Sequence, residues 1–282
     1  MRKPLSLMLV AGLSLASFAF AADPAQQAQK AGQDQPGSKA EGDALPPRPN
    51  PNAVPVPTGE VVNKQELEGG LIIEDIKIGD GYEVKAGGAV VAHYHGTLKE
   101  GGKIFDSSFD RGEPVSFPLN GVIEGWQKGV PGMKIGGIRK LTIPAKMGYG
   151  ERGAGATIPP NSDLVFTIQL VDALQIIDEK EGTGEAAEGQ CVAVTAHVIK
   201  DAEGKEVEKH DAANPYIWIP GELQAMQFGF EGMKVGGKRK LIVPKQMNQA
   251  NPQAGRTLAG NVPITVEMEL IALRNLGPKK AK

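Results

Sequence analysis

Apolar and polar positions alternate in short runs along much of this chain. Val90, Ala92, Tyr94 and Leu98 fall on one face of a strand at period two, and Leu164, Phe166, Ile168 and Leu170 do the same further on. Phe117 with Leu119, and Leu141 with Ile143, repeat the alternation between them. One segment follows a different period: Val122, Ile123, Trp126 and Val130 share a face at helical spacing. Many antiparallel strands and a single short helix predict an α+β domain, with the helix laid across one sheet face.

The pattern then returns. MKIGGIRKLTIPAKMGYG (133–150) reappears about 100 residues on as MKVGGKRKLIVPKQMNQA (233–250), where Asn161 meets Asn261 and Leu170 meets Leu270. Upstream, LIIEDIKIGDG (71–81) aligns with LQIIDEKEGTG (174–184). Two homologous domains are expected, residues 70–173 and 174–282. The repeat also removes a decoy. GTGEAA (182–187) imitates a dinucleotide fingerprint, but charged DEKE precedes it where an apolar strand is needed, and its counterpart Gly79-Asp80-Gly81 lies in a turn.

The N-terminal residues carry no such alternation. MRKPLSLMLVAGLSLASFAFA (1–21) has a charged start, an apolar run and an Ala-Phe-Ala cleavage site, the organisation of a secretory signal. The run is short for a membrane span, so the mature protein is expected to have none and to be periplasmic. Residues 22–69 contain no aromatic side chain and include LPPRPNPNAVPVP; they are expected to form a disordered, Pro-rich linker.

Composition narrows the function classes. The 282 residues carry a formal net charge of −2, which argues against a nucleic-acid partner. The short basic runs Arg139-Lys140 and Lys238-Arg239-Lys240 read as solvated strand edges. The single cysteine, Cys191, excludes an intrachain disulfide and is far from the N-terminal segment. His93 and His95 share a strand face as two metal ligands would, but no third ligand is evident nearby, so they read as exposed strand residues. No cofactor or metal is expected.

The aromatics concentrate in KIFDSSFDRGEPVSFPLNGVIEGW (103–126), a stretch without a nucleophile, base or metal-ligand pattern. VVAHYHG, KIFDSSFDRGEPVSFPL, GVIEGWQKGVPGMKIGG and GYGERGAGATIPPNSDLVF follow one another over residues 70–173. In order and spacing they closely resemble the FKBP-type peptidyl-prolyl isomerases. The resemblance implies two FKBP-like domains, each an antiparallel sheet wrapped over one short helix. It implies a pocket with Trp126 as floor, walls of Tyr94, Phe105, Phe117 and Phe166, and Val122 and Ile158 at the rim. The backbone N–H of Ile123 and the Tyr149 hydroxyl would hold substrate carbonyls, and Asp106 would face the pocket, oriented by Tyr94 and Arg111. Val115, Ala154 and Thr157 depart from better-known members, which bears on macrolide affinity and substrate preference more than on the reaction.

Such a pocket suits rotation about an X–Pro bond, which makes and breaks no covalent bond. The barrier of roughly 18–20 kcal/mol is lost amide resonance, and an apolar pocket penalises the polar planar amide more than the twisted one. The implied partners are unfolded or nascent exported proteins with X–Pro bonds, and macrolide inhibitors. In the second repeat the pocket is largely replaced: Tyr94 by His197, Phe105-Asp106 by Val207-Glu208, Trp126 by Met226, Tyr149 by Gln249 and Phe166 by Val266. That domain is expected to keep the fold and lose the site. Its Tyr216, Trp218, Phe228, Phe230, Met226 and Met233 would supply an adaptable apolar surface wherever they are exposed. A non-catalytic chaperone or scaffold is the alternative function.

Overall fold

The computed structural model describes residues 50–249 and 262–277, with only the backbone of Gln227. The expected signal peptide 1–21 and residues 22–49 of the expected linker lie outside the described residues.

In the first half, seven strands form one antiparallel sheet: β1 (Asn63–Leu67), β2 (Leu71–Lys77), β3 (Ala89–Leu98), β4 (Ile104–Ser107), β5 (Val115–Pro118), β6 (Ile138–Ile143) and β7 (Leu164–Ala173). Their spatial order is β1-β2-β6-β7-β3-β4, and β5 pairs with the start of β3 on the same edge as β4. The helix α1 (Ser108–Arg111) follows β4, and α2 (Glu124–Gly129) follows β5. The second half repeats this order with β8 (Gln175–Lys180), β9 (Cys191–Lys200), β10 (Glu206–His210), β11 (Tyr216–Trp218), β12 (Lys238–Val243) and β13 (Ile264–Asn275). The sheet runs β10-β9-β13-β12-β8, β11 pairs with β9, and the helix α3 (Met226–Gly229) stands where α2 stands in the first half. Apart from β1, strand for strand the two topologies are the same, so both halves are α+β domains of one fold.

The helix of the first domain lies close against its sheet because two glycines face it. A Cβ on Gly125 would sit 2.4 Å from Ile143 Cγ2, and one on Gly129 2.8 Å from Leu141 Cδ1. Arg139 then fixes the end of the helix. It is buried, donates from Nε to Asp75 Oδ1 at 2.6 Å, and donates from Nη1 to the carbonyls of Gly129 (2.8 Å) and Pro131 (3.3 Å). The Gly129 carbonyl, at the last residue of the helix, has no partner within it. Arg239 repeats the arrangement with Asp178, Gly229 and Glu231. The expectation that both basic runs are merely solvated edges is therefore corrected: the arginine of each is a buried helix cap.

Two further expectations change. The linker expected to be disordered to Gly69 joins the fold before then: Asn63–Leu67 pair with β2, and the Val62 N–H donates to Asp75 O at 2.8 Å. NKQEL has no apolar alternation to signal a strand; backbone pairing at the sheet edge makes it one. Asn50 Nδ2 also donates to the carbonyls of Asp110 and Arg111, both at 3.0 Å, and Val54 N to Phe109 O at 2.9 Å, strapping this segment over α1. Secondly, β3 is buried on both faces at its start, although its apolar pattern marks one. Val90, Ala92 and Tyr94 face the first core, whereas Ala89 and Val91 pack with Leu174 and the core of the second domain.

Candidate functional site

The aromatic side chains expected to build a pocket do converge. Trp126, on α2, is at the centre: its ring lies edge-on to Tyr94 at 6.0 Å, Phe117 at 5.3 Å and Phe166 at 5.4 Å. Phe105 meets Phe166 at 5.4 Å, and Tyr94 meets Phe117 at 5.5 Å. Strands β3, β5 and β7 each contribute a ring to the covered sheet face, and Gly96 makes room for Phe105, whose ring a Cβ there would approach to 2.5 Å. Tyr94, Phe117, Trp126 and Phe166 are fully buried, while Phe105, Val122 and Ile123 keep a small exposed margin. The part reachable from outside is thus a lip of Phe105, Val122 and Ile123, with Tyr149 half-buried against the same core and Ile158 held by paired backbone bonds to Ala154. The indole Nε1–H of Trp126 has no acceptor among the described residues. Neither has the Ile123 N–H, which precedes α2.

Asp106 brings charge to this apolar setting. The Tyr94 hydroxyl donates to its Oδ2, Arg111 Nη1 donates to its Oδ1 at 2.6 Å, and Arg111 Nη2 donates to the Tyr94 oxygen at 2.7 Å. Ser107 caps α1 by accepting from Asp110 N, and this turn places Arg111 over the Tyr94 ring, 5.6 Å from its centre. Burial, followed by the Asp106 charge, pushes the Tyr94 phenol far above its ordinary value, so it stays a donor at any physiological pH.

His93, expected on an exposed face, is instead buried. Its Nδ1 lies 3.2 Å from Ser108 Oγ and its ring stacks on Phe109 at 4.8 Å. No strand pattern could reveal this, because α1 supplies the cover.

Residues 81–171 match the family model described as FKBP-type peptidyl-prolyl cis-trans isomerase. A probable FK506-binding protein of Corynebacterium glutamicum is 52% identical over 103 residues, covering 36% of this chain and 86% of its own. The chain belongs to the FKBP-type peptidyl-prolyl cis-trans isomerase family. An FK506-binding protein of Neisseria meningitidis serogroup B is 51% identical over 105 residues, 36% of this chain and 95% of the relative. The crystal structure of FkpA from Escherichia coli shares 44% identity over 39% of this chain and 51% of that one, with a TM-score of 0.37. The protein is accordingly a peptidyl-prolyl isomerase that acts in protein folding.

In the second domain of this FKBP-type chain the pocket positions hold other chemistry. His197 stands for Tyr94 and Glu208 for Asp106, and the two are still paired, His197 Nε2 to Glu208 Oε1 at 2.8 Å. Trp218 occupies the place of Phe117; Tyr216 meets it edge-on, and His210 lies tilted against Tyr216, their ring centres 5.0 Å apart. Trp218, Met226, Phe230 and Met233 are buried and Tyr216 and Phe228 half-buried, so the adaptable apolar surface anticipated from these residues is mostly core.

Proposed function

We propose that isomerisation takes place in the first domain, at the lip above Trp126. Here the proline ring lies on Trp126 between Tyr94, Phe105, Phe117 and Phe166, with Val122 and Ile158 at the rim. The Ile123 N–H and the Tyr149 hydroxyl hold the carbonyls flanking the X–Pro bond, and Asp106, fixed by Tyr94 and Arg111, faces the rotating amide. Nothing here needs a nucleophile: the pocket favours the less polar twisted amide and the donors fix the flanking chain. A million-fold acceleration takes about 8 kcal/mol of such preference. The observation that most supports this reading is the aromatic set around Trp126 with one buried, doubly hydrogen-bonded carboxylate at its edge.

The boundaries 70–173 for the isomerase domain and 174–282 for a degenerate partner belong to the same proposal. So do export to the periplasm after cleavage near Ala21, clients among unfolded exported proteins, and macrolide inhibitors of the FK506 type. Measuring kcat/KM for cis–trans exchange of a short X–Pro peptide tests the site. Asp106→Ala should lower it about tenfold or more, as expected for a charged group in a dry site. A folded Asp106→Ala protein with unchanged kcat/KM would remove Asp106 from the site.

A further inference from the structure

We infer that His197, Glu208 and His210 form a binding site for a divalent transition-metal ion such as zinc, at the place where the first domain has its Tyr94–Asp106 pair. The register of the edge hairpin sets His210 of β10 directly opposite His197 of β9. Glu208 is two residues from His210 and therefore on the same face. The three ligand atoms lie within 4.8 Å of one another. Glu208 Oε1 is 2.8 Å from His197 Nε2 and 3.8 Å from His210 Nε2. Ligands in a tetrahedral zinc site, with bonds of about 2.0–2.1 Å, stand roughly 3.3 Å apart. Closing the triad thus needs side-chain shifts of about an ångström, available to His210 and Glu208, which are each partly exposed.

Each ring has an oxygen partner at its Nδ1. His210 Nδ1 lies 3.4 Å from the Asn214 carbonyl, and its Nε2 is the nitrogen that reaches Glu208. His197 Nδ1 rests 2.9 Å from Thr195 Oγ1, which accepts from Trp218 Nε1 at 2.9 Å, and all three residues are buried. Oxygen partners of this kind hold the rings of metal-binding histidines in position. Two imidazoles and one carboxylate suit zinc and its first-row neighbours better than calcium or magnesium. They also leave a coordination position for water on the exposed side. The chain has four histidines and one cysteine, and of the other two histidines, His93 is engaged with Ser108 and Phe109.

Titration of the full chain with Zn²⁺ at neutral pH, followed by calorimetry, and with Co²⁺, followed by its visible absorption, tests the site. We expect one equivalent bound at micromolar or tighter affinity, a four- or five-coordinate Co²⁺ spectrum, and no response to Mg²⁺. His210→Ala and Glu208→Gln, at partly exposed positions, should each weaken binding at least about tenfold. The double variant His93→Gln/His95→Gln should bind as the parent does. Absence of Zn²⁺ binding would overturn the inference. So would binding unaffected by His210→Ala, or binding abolished by the His93→Gln/His95→Gln change.

Discussion

The Tyr94 phenol, the Asp106 carboxylate and the Arg111 guanidinium meet where the aromatic cluster of the first domain reaches the surface, and each satisfies the next. Tyr94→Phe leaves Asp106 its arginine but removes a buried donor, and denaturant unfolding should show a loss of about 1–3 kcal/mol. Undiminished stability would mean that the hydrogen bond contributes nothing. His93 makes a different prediction. Burial, outweighing the hydrogen bond to Ser108 and helped by the Arg111 charge, holds its imidazole below the ordinary 6.5. The unfolded chain therefore takes up the proton first as pH falls. The stability carried by neutral His93 is complete above pH 6.5 and declines as the pH drops from there towards the lowered folded value. Unfolding free energies measured across this window should fall with pH, and His93→Gln should flatten part of the slope; equal slopes would contradict the burial of His93. At this scale, the sequence shows Asp106, Arg111 and the rings through family spacing. It does not show the environment of His93, which depends on a neighbouring turn rather than on strand alternation.

The helix α2 has six residues, two of them glycine, a sequence with little helical propensity of its own. Contact with β6 holds it: Gly125 and Gly129 let its backbone approach Ile143 and Leu141, and Arg139 ties down its last carbonyls. Propensity alone would have Gly125→Ala stabilise this helix by up to about 1 kcal/mol. A Cβ 2.4 Å from Ile143 Cγ2 reverses the sign, and a net loss of about 1–3 kcal/mol is expected on thermal or urea unfolding. The second domain carries buried Ala225 and Val243 at the corresponding positions, an extra methyl on the helix against one fewer on the strand. Gly125→Ala combined with Ile143→Val should therefore recover much of the loss; a double variant no more stable than Gly125→Ala would show that the contact is not what limits the helix. Hydrophobic periodicity located this helix through Val122, Ile123, Trp126 and Val130, although the first two precede its first turn. It could not locate β1, where polar NKQEL becomes a strand through edge pairing alone.

Across the whole molecule, two copies of one topology are joined with no spacer, since β7 ends at Ala173 and β8 begins at Gln175. Repeated sequence made both domains legible, but not their contact. Ala89 and Val91 lie on the non-core face of β3, and their cover is Leu174 and the second domain. A chain ending at Leu174 should be less stable than the intact protein, because this face becomes exposed, yet should turn over short X–Pro peptides at a similar rate. A large drop in peptide turnover by the folded truncated form would give the second domain a direct part in catalysis. Beside the junction lies a cavity of about 310 Å³ walled by Trp218, Met226, Phe228 and Phe230. Corresponding substitutions at the two homologous positions test most directly where catalysis resides. Trp126→Leu and Met226→Leu should be made in the full chain and exchange of an X–Pro peptide measured beside folding stability. Trp126→Leu should remove most of the acceleration while the protein stays folded, and Met226→Leu should leave the rate unchanged. A folded Trp126→Leu protein with the parent rate, or an equal loss in both variants, would place catalysis elsewhere.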